Sequence, residues 1–187
     1  GMRNKNDAEP DQPASPNGNY YELSFNAEGG VPHFIWFRMK AENNSAANDS
    51  VWVQFSNTVN GSGAPIYRIG TTSAIKVLLQ ECDGAPMSNW GWHDAGWCGV
   101  QGGSTTSATS GIQTVRVLQR QDGISIDQMV FSSATYAAAA PGPLVNDNTF
   151  LPESNGLELS DIKVVQWNVT DGEPLPPRHD LKMLSRA

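Results

Sequence analysis

From Tyr20 onward the apolar residues arrive in short runs of period two, each closed by turn-forming residues, and that pattern leaves the chain little to fold into except stacked β-sheets. Tyr21-Glu22-Leu23-Ser24-Phe25 alternates. Residues 34–40 are apolar on both faces, as a central strand is, and Val51, Val53 and Phe55 share one face of the next run. Two short strands are expected over 66–69 and 74–79. Two longer ones, 112–118 and 124–131, flank Gln121-Asp122-Gly123, a strong hairpin signal. In the second of these the apolar positions are Ile124 and Ile126, then Met129 and Phe131. This one-residue slip predicts a β-bulge at Asp127-Gln128. No segment carries a convincing helical period. The expected architecture is all-β: a β-sandwich of about eight strands, of jelly-roll type.

The 187 residues, 39 % of them hydrophobic, suffice for one sizeable core. Residues 1–19 are polar and carry Pro10, Pro13 and Pro16, which reads as a disordered leader. The sandwich is expected over 20–150. A C-terminal extension, 151–187, holds one more strand at about 161–169 and ends in a Pro-rich tail.

The formal net charge of −7, with scattered basic residues, argues against nucleic acid or an anionic membrane as partner. No apolar run approaches the roughly 20 residues that cross a bilayer, so no membrane insertion is expected. Charged residues are only 17 %, and Gly, Ser, Thr and Asn are abundant, the profile of a secreted all-β module. Gly1-Met2 reads as a tag remnant and no signal peptide follows it, so the expected location, secreted, periplasmic or cell-surface, rests on composition.

The densest chemistry lies in 81–103, which holds both cysteines and three of the six tryptophans: Trp90, Trp92 and Trp97. Glycines beside each ring leave room for a flat ligand. A pyranose offers an apolar C–H face for such rings and a rim of hydroxyls for polar neighbours. The stacking candidates are therefore Trp90, Trp92 and Trp97, with at least two exposed, and the hydrogen-bonding candidates are Asn89, His93, Asp94 and Asp49. The competing possibility is that the tryptophans plug a small loop core, with His93 bonding within the loop and Asp49 capping its own turn. Cys82 and Cys98 flank the loop, and a bridge closing it would stabilise by about 3 kcal/mol on the chain-entropy model; two free thiols are the alternative. Neither cysteine has a second Cys or His pair at zinc-ligand spacing.

The segments Asn48-Asp49-Ser50-Val51-Trp52-Val53-Gln54-Phe55-Ser56, Tyr67-Arg68-Ile69-Gly70-Thr71-Thr72, Trp90-Gly91-Trp92-His93-Asp94 and Asp122-Gly123-Ile124-Ser125-Ile126-Asp127-Gln128-Met129-Val130 resemble, in order and spacing, bacterial carbohydrate-binding modules of the family 6 type, within the galactose-binding-like group. The likeness covers about residues 20–150. It implies a jelly-roll module that binds poly- or oligosaccharide without cleaving it, attached to or acting beside a secreted enzyme. It places stacking on Trp90, Trp92 or Trp97. Ser125 stands where the family's pattern favours a donor asparagine. No cofactor is required, but such modules hold a structural calcium between paired glutamates of the first strand and an aspartate of the last. Asp127 matches the aspartate, whereas no Glu-x-Glu strand precedes Tyr20.

Two other functions compete. A hydrolase or lyase needs two carboxylates about 5 to 10 Å apart, for which Glu81, Asp83 and Asp94 are the candidates, but none sits in an apolar strand context that raises a pKa. An extracellular protein-interaction or adhesion domain would use the same tryptophans as anchors. Trp36, Trp52 and Trp167 are expected to be structural, and Arg38, Arg68 and Arg116 to pair with carboxylates at the sheet surface.

Overall fold

The computed structural model describes residues 20–121 and 123–152, together with the backbone of 162–166. The strands are β1 (Tyr20–Ala27), β2 (Pro32–Ala41), β3 (Ser50–Phe55), β4 (Thr58–Val59), β5 (Ile75–Leu78), β6 (Gly91–His93), β7 (Thr105–Ser107), β8 (Gly111–Gln119), β9 (Ile124–Ser132) and β10 (Ile162–Gln166). They form two antiparallel sheets, β1-β8-β3-β5 and β10-β9-β2-β7-β4. β6 joins the second sheet beside β7: β7 pairs with Pro32 and His33 of β2, and β6 with Phe37 to Met39. This is a two-layer β-sandwich, as the alternation predicted.

The inner faces supply the core. Leu23, Val51, Val53, Phe55, Val77, Val115 and Val117 of the first sheet meet Ile35, Phe37, Met39, Met129 and Phe131 of the second. Stacking of Phe25 on Phe131, with ring centroids 4.3 Å apart, ties the layers together. The outer face of the second sheet is also covered. After β9 the chain doubles back, and residues 133–152 run across that face as a strap over Trp36, Trp92 and Val130. The Trp36 indole donates to Tyr136 O at 2.8 Å, and Gln128 exchanges two hydrogen bonds with the Leu151 backbone. This second cover explains why β2 and β9 are apolar on both faces.

The bulge lies where the slip predicted. Arg38 pairs with Gln128 but Met39 with Ile126, which leaves Asp127 as the extra residue. The hairpin around Gln121-Asp122-Gly123 does not form. β8 pairs with β1 and β3, β9 with β2 and β10, so the chain passes from one sheet to the other between Gln119 and Ile124. Both strands are apolar enough to be central in their own layers, and central strands need two neighbours each. Residues 66–69 make a single isolated bridge, Arg68 to Phe55, because Tyr67 takes a positive φ of 52° that no regular strand accommodates. Trp36 and Trp52 are buried as expected; Trp167 lies outside the described residues.

Candidate functional site

The tryptophan-rich segment divides into a buried half and an exposed half. Gly91-Trp92-His93 is strand rather than loop, drawn in because β2 has an open edge opposite β9. Its other edge meets the strap: Trp92 N–H donates to Pro143 O at 3.0 Å and Asp147 N–H to Trp90 O at 2.8 Å. Gly91 is required there, since a Cβ would collide with the Leu144 carbonyl. Trp92 is consequently 0 % exposed, packed with Trp36 and Val130, and is not a stacking platform.

Several polar candidates also prove internal. His93 is fully buried, its Nδ1 3.0 Å from Glu81 Oε1 and its Nε2 2.8 Å from Leu144 O. These two contacts staple the loop to the strap. The Asp94 carboxylate accepts from Gly96 N–H at 2.6 Å and Gly102 N–H at 2.9 Å, closing the next turn of chain. Burial raises its pKa above the ordinary aspartate value against the pull of these two amides, and the charge of Glu81 adds to the rise. Asp49 is buried at the start of β3, where its N–H donates to Gln121 Oε1 and its carbonyl accepts from Leu79 N–H. Asn89 is exposed, but its amide donates to Asn146 Oδ1 at 2.9 Å and its N–H to Asn44 Oδ1. The sequence placed these four residues on a ligand, whereas the fold uses His93, Asp94 and Asp49 inside and gives Asn89 to the strap.

Trp90 is half-buried against Arg38, whose guanidinium carbon lies 5.0 Å from the ring centroid. Arg38 is itself buried on the outer face of the second sheet. Its Nε donates to Asp147 Oδ2 at 2.6 Å, its Nη2 to Asp147 O at 2.9 Å, and its Nη1 to Asp127 Oδ2. The bulge thus aims Asp127, the residue matched to a calcium ligand in the resemblance, at the Arg38 guanidinium. Burial raises the Asp127 pKa, with Arg38 acting against the rise. Among the described residues no group of three or more His, Cys, Asp or Glu side chains is placed to hold a metal ion. Arg116 pairs with Glu22 as expected, whereas Arg68 bonds the Ser56 carbonyl and the Asn57 side chain.

The exposed half is a rigid finger. Cys82 and Cys98 form a disulfide. Trp97 and Val100 exchange two backbone hydrogen bonds around Cys98 and Gly99, whose φ values of 55° and 75° make a turn of the type I′ kind. Cys98 holds its left-handed backbone through the bridge and through a hydrogen bond from its N–H to Glu81 O. At the tip Trp97 is 43 % exposed and Val100 70 %.

Trp97 faces a groove of about 360 Å³, toward the lower end of the range typical of small-molecule clefts. Gly96, Trp97 and Ser104 line one wall; Tyr67, Lys76 and Leu78 line the other. The second wall is the edge of the first sheet, since no described strand lies beyond β5. Leu79 N–H donates to Asp49 O, and this sets the phase of the ladder. Ile75 and Val77 bond to β3, while Lys76 and Leu78 turn their main-chain N–H and C=O groups toward the open edge. Trp97 stands out in the sequence, whereas Tyr67 and Lys76 read there as strand residues. The overlooked signal is a lysine in a very short apolar strand, a common mark of a sheet edge.

Comparison with protein-family models, with curated proteins and with solved structures finds no match. Among the described residues no helix is long and apolar enough to cross a membrane.

Proposed function

We propose that this domain binds a poly- or oligosaccharide, without cleaving it, in the groove between the β5 edge and the disulfide-closed finger. The observation that carries the proposal is Trp97, an indole 43 % exposed on a groove of about 360 Å³. Its ring offers a stacking face for a sugar, and the outward main-chain groups of Lys76 and Leu78 offer donors and acceptors for hydroxyls. The finger is held by a disulfide, a tight turn and the Asp94 staple, so little conformational entropy remains to be lost on binding. Cleavage finds little support in the carboxylates, because Glu81 is engaged with His93 and Asp94 with two backbone amides. The disulfide accords with a secreted, periplasmic or cell-surface role beside a secreted enzyme, as the resemblance to family 6 modules implies.

A protein partner is the second reading. Val100 beside Trp97 extends the apolar tip, and β5 presents an edge that no described strand pairs. A glycan array followed by titration of the best hit, with Trp97→Ala beside the wild type, separates the two. Saccharide binding weakened at least about ten-fold by Trp97→Ala, with no new reducing ends on incubation, supports the proposal. A blank array together with capture of a protein through the same tip overturns it.

A further inference from the structure

The charge on the groove's lining is opposite in sign to that of the chain. The protein carries a formal net charge of −7, yet among the described residues Lys76 is the only charged one lining this cleft. Two acidic side chains of the finger are turned to partners within the protein: Asp94 accepts from Gly96 and Gly102, and Glu81 contacts His93. The outward N–H groups of Lys76 and Leu78 add two main-chain donors on the wall that carries the ammonium, and Ser104 adds a hydroxyl on the wall opposite. The outward C=O groups of Lys76 and Leu78 serve the sugar's own hydroxyls, whether the sugar is neutral or acidic, but a neutral sugar gains nothing from the cation. A carboxylate gains from the ammonium and from each N–H, because charge-assisted hydrogen bonds are the stronger kind.

We infer that the groove takes an acidic saccharide, a uronic-acid unit stacked by its ring on Trp97 and held by its carboxylate at Lys76 and the open edge of β5. The inference rests on the carbohydrate reading above and narrows it to a substrate class. It also gives Lys76 a role beyond guarding a sheet edge. An exposed ammonium contributes modestly to affinity, so the discrimination is measured in small multiples and weakens with salt.

The test uses the full chain, titrated calorimetrically with oligogalacturonides, with their methyl esters, and with neutral galactan and glucan oligosaccharides of equal length. Methyl esterification removes the charge and keeps the ring. The expected result is binding of the free acid about three- to ten-fold tighter than of its ester, a difference that disappears in Lys76→Gln and shrinks as salt is raised. Lys76 is exposed, and a melting curve for Lys76→Gln that matches the wild type confirms that the variant folds. Equal binding of acid, ester and neutral sugars, unchanged in Lys76→Gln, overturns the acidic preference and leaves carbohydrate binding standing. No binding to any of these sugars, in a protein that also leaves a glycan array blank, overturns both.

Discussion

Trp92 and Trp97 stand five residues apart in one glycine-rich segment and have opposite fates. Trp92 lies on a three-residue strand clamped between β2 and the strap, and none of it reaches solvent. Trp97 lies at the start of a tight turn whose hydrogen bonds close on themselves, leaving its ring outside. The difference is set by main-chain partners rather than by the side chain. Where an open sheet edge is on offer, backbone pairing draws the indole inward. Where the chain satisfies its own N–H and C=O groups locally, the indole is left exposed.

The contrast breaks most visibly at Trp92. Trp92→Ala should destabilise by about 3–5 kcal/mol, as large-to-small changes of buried aromatics do, read as a lowered urea midpoint. Reduction of the Cys82–Cys98 bridge should cost about 3 kcal/mol on the chain-entropy model, and it should blunt ligand binding because the finger loses its frame. Gly91→Ala should cost about 1–3 kcal/mol, since the added methyl meets the Leu144 carbonyl and β6 must shift; thermal melting checks it.

A smaller effect is expected from pH. Burial raises the pKa of both Asp94 and Asp127, so the folded state holds their protons more firmly than the unfolded state does. Their stabilising contribution is complete below the ordinary aspartate value of about 3.9 and is lost as pH rises through the raised values. The urea midpoint should therefore fall across that acidic window. Asp127→Asn should flatten part of the fall, and an unchanged slope in that variant would count against the assignment. Smallest of all, Trp97→Ala should shift stability by no more than about 0.5 kcal/mol, as exposed substitutions do, while removing the groove's stacking face. A large loss of stability there would show that Trp97 is a structural residue.

The layers of the fold were legible because period-two alternation records which side of a strand is buried. The Asp127 bulge was legible for the same reason, as a slip in phase. Strand neighbours were not legible, because a turn such as Gln121-Asp122-Gly123 reverses the chain whether or not the flanking strands pair. β4, β6 and β7 were missed because two or three residues carry no measurable period. At the site, residue types named the chemistry but not its direction. His93 and Asp94 have the side chains a sugar needs, and the sandwich uses those same capacities on Leu144 O, Glu81, Gly96 and Gly102. The groove depends on which strand is outermost, a property of topology that no local window contains.

The order of strands has a kinetic corollary. Among the described strands, β9 and β10 are the only consecutive pair that shares a ladder; every other connection joins strands that do not pair. Hardly any hairpin can therefore form early and template the rest. β1 waits for β8, and β2 for β9, so long loops must close before either layer gains stability. Folding of this sandwich should be slow for its size, in the millisecond-to-second range typical of non-local β-topologies, on the order of thousands of times slower than a helical bundle.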